Sequence, residues 1–168
     1  MTTATSKPTD LIASVDLLAQ QASSAEELMT AITKLLFAKL NKYNWVGFYM
    51  LEKGAVPPML VLGPFQGAAT PHTRIPLNQG ICGAAAFSGA TVVVDDVNAD
   101  PRYLACSLET KSEIVVPVLA NGEVVGELDI DSHSPAAFGE EDRRLCEHAA
   151  KVLGSWLERL PMRQGQGK

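Results

Sequence analysis

Two aspartates end an otherwise apolar run, GEVVGELDIDS over residues 122–132, and their spacing puts Asp129 and Asp131 on one face of a strand. A third acid, Glu113, precedes the run IVVPVLA, and the two runs flank Asn121-Gly122, a dipeptide suited to a hairpin turn. Paired across such a hairpin, Glu113, Asp129 and Asp131 gather within roughly 5 to 8 Å. Carboxyl groups this close resist joint ionisation, so one keeps its proton, an ammonium group or cation joins them, or water screens them. The first two cases make a binding or proton-donating site, and the third is ordinary exposed sheet. Trp45 and Tyr49 share a face of NWVGFYML. They wall a pocket against the acids if the strands are neighbours, and are otherwise core. Three thiols complete the reactive set: Cys82, Cys106 and Cys146. Their odd number and lack of C-x-x-C spacing argue against a disulfide framework or a zinc site, leaving inert core or chemical use. No metal or cofactor is expected: DIDS lacks the glycine and distal glutamate of a calcium loop, and no histidine pair has zinc spacing.

The elements that must position these groups are legible from periodicity. DLIASVDLLAQQ and SAEELMTAITKLLFAKL carry apolar residues at three- and four-residue spacing, with Leu28, Ile32, Leu35, Leu36 and Leu40 in one stripe. Ser24 followed by Glu27 has capping-box spacing and starts the second helix. In YNWVGFYML the period changes to two, with Trp45, Gly47, Tyr49 and Leu51 on one face and Val46, Phe48 and Met50 on the other. MLVLGPF is a second strand, and QGAATPHTRIPLNQG an irregular loop. ICGAAAFSG reads as a short helix ending at Gly89, followed by the strand TVVV, and residues 95–111 as a second long loop. Long loops in a compact domain are often lids or binding loops. Residues 138–160 make a long amphipathic helix through Leu145, Ala149, Val152, Leu153, Trp156, Leu157 and Leu160.

The hairpin register decides which side chains meet. A two-residue Asn-Gly loop sets Glu113 opposite Ile130 and mixes acids with aliphatics on both faces. A three-residue loop, Ala120 to Gly122, instead pairs Ile114 with Leu128 and Val116 with Gly126, setting Glu113 opposite Asp129. The second register is the expected one.

The 168 residues, 46% hydrophobic and 20% charged, describe one soluble α/β domain, expected over residues 10–160 with a flexible leader at 1–9 and a tail at 161–168. Its sheet is antiparallel, with about six strands, helices on one face and two long loops closing a small pocket over the other. A formal charge of −5 and the lack of a dense basic cluster argue against a nucleic-acid surface. No segment has the length of a membrane span and the first residues lack a signal-peptide core, so a cytosolic location is expected.

In order along the chain, NWVGFYML, LVLGPFQG, RIPLNQGICGAAA, VVVDDVNADPRYLACSLETKSEIVVPV and GEVVGELDIDS resemble the free methionine-(R)-sulfoxide reductases, which are built on a GAF domain. The resemblance spans roughly residues 24 to 157. It implies reduction of the R epimer of free methionine sulfoxide by cysteine chemistry, with thioredoxin as electron donor. It makes Cys106 the catalytic cysteine, Glu113, Asp129 and Asp131 the acidic substrate residues, and Trp45 and Tyr49 the aromatic wall. A Cys106 thiolate then attacks the sulfoxide sulfur while an acid, Glu113 or Asp131, protonates the oxygen. The remaining carboxylates hold the substrate ammonium, and Trp45 packs on the methyl and sulfur.

The sequence departs from this family at His72, where the usual enzyme has a cysteine ten residues before the one matched by Cys82. In many members that cysteine resolves the sulfenic acid. Cys82 also matches a family cysteine and is the expected partner of Cys106 in a disulfide, an external thiol being the alternative. His72 acts as a base or caps the loop, and the second is favoured. Cys146 belongs to core packing, and His133 and His148 receive no role. GAF domains often pair through their first and last helices, so a homodimer is implied. The rival readings are a non-catalytic GAF sensor of a small ligand and a thiol redox switch.

Overall fold

The structure, a computed structural model, describes residues 6–104 and 107–160. The expected tail, most of the leader, and Cys106 lie outside the described residues. After a 3-10 turn at Pro8–Leu11 come α1 (Ile12–Gln21) and α2 (Ala25–Lys39), then β1 (Trp45–Glu52), β2 (Met59–Gln66) and β3 (Arg74–Pro76). Next follow α3 (Gly80–Ser88), β4 (Val92–Val94), a 3-10 turn at Val97–Ala99, β5 (Ser112–Ala120), β6 (Glu123–Ser132) and α4 (Glu140–Glu158). The six strands form one antiparallel sheet in the order β3-β2-β1-β6-β5-β4.

Strand alternation splits the interior in two. Val46, Phe48, Ile114, Val116, Leu128 and Ile130 point to one side, where α1, α2 and α4 cover them with Val15, Leu28, Ile32, Leu36, Leu145 and Leu153. Each such buried side chain stabilises the fold by roughly 1.5–3 kcal/mol, so this layer carries the stability. The opposite side holds Trp45, Tyr49, Leu60, Ile75, Cys82, Val97 and Val115, under α3. Two glycines permit close approaches: a Cβ at Gly154 would stand 2.0 Å from the Leu119 carbonyl, which lets α4 lie directly on β5, and one at Gly47 would stand 2.3 Å from the Trp45 ring.

The helix starts carry their own chemistry. The Ser24 hydroxyl accepts from Glu27 N–H at 3.1 Å, as expected, but the Glu27 carboxylate turns to Ser23 rather than closing a reciprocal box on Ser24. At α4, Asp142 gathers Gly139 N–H, the Lys42 ammonium and the Tyr43 hydroxyl at 2.9, 2.6 and 2.7 Å. Cys146 lies against Tyr43 at 3.8 Å, and burial pushes its thiol up to about 12. This cysteine is packing, as the sequence indicated.

The pocket side, expected to be closed by loops alone, is also covered by α3 through Ile81, Cys82, Ala85 and Ala86, and two further expectations need correction. The first long loop contains β3, whose three residues pair Ile75 with Leu60; a strand that short, ending in proline, leaves no period to read. The hairpin turn has two residues, not three: Asn121 and Gly122 both have positive φ, at 53° and 78°, and Ala120 pairs with Glu123. A bulge beyond Val118 then leaves Val125 unopposed, so Ile114 faces Ile130, Val116 faces Leu128, and Glu113 faces Asp131 rather than Asp129. The observed register is two residues from the expected one. An even shift keeps every side chain on its face, which is why the acids still gather.

Candidate active site

β6 lies between β5 and β1, and their registers form three rungs on the α3 side of the sheet. Trp45, Asp131 and Glu113 make the first; Gly47, Asp129 and Val115 the second; Tyr49, Glu127 and Pro117 the third. The acids and the aromatic pair singled out in the sequence are therefore direct neighbours. Because Gly47 has no side chain, the Trp45 indole folds across it, stacked on Phe65 at 5.5 Å and on Tyr49 at 6.2 Å between ring centroids.

Both aromatics also hold the loop above them. Trp45 Nε1–H donates to the Ala68 carbonyl at 3.0 Å, and the Tyr49 hydroxyl to the His72 carbonyl at 2.7 Å. The loop stands over a cavity of about 520 Å³ lined by Trp45, Tyr49, Thr70, Ser107, Asp129 and Asp131 among others. His133, given no role in the sequence reading, stands at this cavity, 3.6 Å from Glu109. His148 lies away from it, 2.7 Å from Asp16.

Cys82 sits in the first turn of α3, and its thiol donates toward Asp129 Oδ2 at 3.5 Å and lies 3.9 Å from Glu113 Oε1. A helix N-terminus ordinarily favours thiolate. Here burial, followed by the charges of Asp129, Glu127 and Glu113, pushes the thiol well above its usual range. The acids shift the same way. Burial raises Asp129 to about 6, with hydrogen bonds from Glu113 and Cys82 holding it down. Burial and the Asp129 charge raise Asp131 well above the carboxylate range, and burial does the same to Glu127. Such a group keeps its proton near neutrality and can donate it.

Trp45, Tyr49, Glu113, Asp129, Asp131 and Cys82 are thus brought together, while Cys106 lies outside the described residues. Its described neighbours bear on the site: Ser107 lines the cavity, and the Leu104 side chain meets Gly80 at the start of α3. The sequence reading missed Glu127, which is fully buried on the face of Asp129 and Asp131. The signal was available, since strict alternation in GELDIDS puts Glu127, Asp129 and Asp131 in one row.

The model of the GAF domain matches residues 24–155. The chain is 41% identical to Protein YtsP of Bacillus subtilis, over 71% of each sequence. It is 38% identical to the free methionine-R-sulfoxide reductase of Escherichia coli, over 72% of this chain and 73% of that one. Among solved structures it is similar to the free methionine-R-sulfoxide reductase from Neisseria meningitidis in complex with its substrate. That similarity has a TM-score of 0.84 and 35% identity, covering 90% of this chain and 88% of the other.

Proposed function

The chain belongs to the free methionine-R-sulfoxide reductases of the GAF-domain family, and from that premise we propose that it reduces free methionine-(R)-sulfoxide through a sulfenic acid and a disulfide, with thioredoxin as reductant. The observation that carries this reading is the meeting of an aromatic wall with Asp129 and Asp131 at one cavity, and of the Cys82 thiol with Asp129 at 3.5 Å just behind it. Each has a task in the reduction of a small zwitterion bearing an S–O bond.

Trp45 receives the methyl and sulfur of the substrate, since an aromatic face suits a polarisable sulfur. Asp129, ionised above about pH 6, takes the ammonium group. A peptide-bound methionine has no ammonium there, which accounts for a preference for the free amino acid. Glu113 and Asp131 face each other across the strands, and Asp131, held protonated by burial and by Asp129, donates toward the sulfoxide oxygen. Cys106 attacks the sulfur as thiolate, the S–O bond breaks, and the oxygen passes to Cys106, leaving methionine and a sulfenic acid.

Cys82 then attacks the Cys106 sulfur, releasing water and forming the disulfide. Its thiol must first lose a proton, and Asp129 Oδ2 at 3.5 Å is the nearby acceptor. A dithiol such as thioredoxin reduces the disulfide and resets both thiols. Such a cycle belongs in a reducing cytosol. The homodimer implied by the family would use α1 and α4, where Leu17 of α1 stays half exposed.

Trapping tests the cycle. After one equivalent of substrate without reductant, peptide mapping is expected to find a Cys82–Cys106 disulfide in the wild-type chain and, in Cys82→Ser, a Cys106 sulfenic acid captured by a dione reagent. A sulfenic acid at Cys82, or unmodified thiols throughout, overturns the assignment.

A further inference from the structure

Cys82, Glu113 and Asp129 each present one ligand atom, and these three atoms lie within 4.8 Å of one another. Cys82 Sγ stands 3.5 Å from Asp129 Oδ2 and 3.9 Å from Glu113 Oε1. A tetrahedral zinc ion bonded to a thiolate at about 2.3 Å and a carboxylate oxygen at about 2.0 Å separates those two atoms by about 3.5 Å. The thiol and the acids therefore stand within a few tenths of an ångström of ligand spacing, on elements held by the core. All three residues are buried.

A separate observation points the same way. Oδ1 of Asp129, which is 2% exposed and belongs to this set, has no hydrogen-bond partner among the described residues. Buried polar atoms are nearly always paired, and an unpaired carboxyl group is costly enough to call for a donor or a cation. Glu127 is not one of the residues whose ligand atoms lie within 4.8 Å of one another, so water completes the coordination of an ion held by these three. Asp129 also lines the large cavity, which gives an ion its route from solvent.

We propose that Cys82, Glu113 and Asp129, with water completing the coordination, form a reversible site for a thiophilic divalent cation, zinc foremost, whose occupancy excludes the sulfoxide substrate. A thiolate selects zinc over magnesium or calcium, which prefer oxygen ligands in sixfold or higher coordination. On binding, the Cys82 S–H bond breaks, its proton leaves to solvent, and a sulfur–zinc bond forms with no change in oxidation state. A metal-bound Cys82 no longer condenses with a sulfenic acid, and a metal-bound Asp129 no longer accepts the substrate ammonium. The cation site stands on the geometry alone; its inhibitory effect rests on the reductase reading.

Cobalt and zinc ions, each added alone to the full reduced chain, test the site. The wild type is expected to bind one Co2+ with a sulfur-to-cobalt charge-transfer band, which Zn2+ displaces. Cys106→Ser keeps that band, Cys82→Ser loses it, and Asp129→Asn weakens Co2+ binding by more than about tenfold. Because a variant can fail to fold, the wild type supplies a second readout: Zn2+ should slow alkylation of Cys82, mapped by mass spectrometry, and a chelator should restore it. No thiolate band in the wild type, a band that survives in folded Cys82→Ser, or alkylation of Cys82 unaffected by Zn2+ overturns the site. Full turnover with Zn2+ bound overturns the exclusion of substrate. A chain that binds Co2+ in this way yet releases no methionine in any condition keeps the cation site and loses only the reductase reading.

Discussion

Cys106→Ser is expected to abolish methionine release from free methionine-(R)-sulfoxide, by at least about four orders of magnitude, the scale seen when a covalent nucleophile is removed. A serine hydroxyl is a far weaker nucleophile toward sulfur, and nothing else among the three thiols replaces it. Cys146 is buried behind the sheet against Tyr43, with its thiol raised to about 12. Cys82 is held protonated among acids. The two remaining cysteines therefore give different signatures. Cys82→Ser forms the first equivalent of methionine and stalls in recycling by thioredoxin, whereas Cys146→Ala turns over normally and loses about 1 to 2 kcal/mol of stability through the small cavity it leaves. Steady-state and burst kinetics for the three variants check this. Turnover that survives in Cys106→Ser removes the proposed nucleophile.

Asp129→Asn is expected to stabilise the fold while impairing activity. The carboxyl is buried, and burial lifts its pKa from 3.8 to about 6. The stability tied to its protonated form is fully present below about pH 4 and is lost as pH rises through about 6, because the unfolded chain then gains more from ionising than the folded one. About two pKa units correspond to roughly 3 kcal/mol. Asp131 and Glu127 are raised as well and act with the same sign. The wild-type Tm should therefore fall between about pH 4 and about pH 7, by about 5 °C or more, and Asp129→Asn should flatten the fall and raise Tm at the upper end. The same substitution removes the charge that holds the substrate ammonium, so KM rises. Scanning calorimetry across this range decides it. A wild-type Tm that climbs with pH, or a variant less stable than wild type at about pH 7, contradicts a buried acid row held against its solvation. The expected fall would make the row a case of stability given up for function, with the aliphatic layer under α1, α2 and α4 supplying the stability that offsets it.

How much of this was legible in the sequence follows from parity. Side chains on a strand alternate with a period of two, so Asp129 and Asp131 had to share a face of their strand, and Trp45 and Tyr49 a face of theirs. The partnership of β1 with β6, raised as a condition, is met by the observed sheet order. The hairpin register was not legible, because a two-residue turn and a bulge at Val125 act together and a bulge leaves no mark in composition. A two-residue turn alone would mix acids with aliphatics, and the bulge removes that conflict while leaving the turn short. Glu127 was missed because it precedes the conspicuous DIDS run, although its alternation with Asp129 places it in the row. β3 escaped notice since RIP is too short to show a period. The contact of Cys82 with Asp129 and Glu113 joins residues 47 and 31 positions apart, and no local pattern predicts how α3 lies over the sheet.

The most direct test of the central claim is stereospecific turnover by the purified chain. Free methionine sulfoxide as separate R and S epimers, and the R epimer within a peptide, are offered with thioredoxin and, in parallel, with dithiothreitol, and methionine is quantified. Release from the free R epimer alone, under both reductants, is the expected result. No methionine from that epimer under either reductant, or equal release from both epimers, contradicts a free methionine-(R)-sulfoxide reductase.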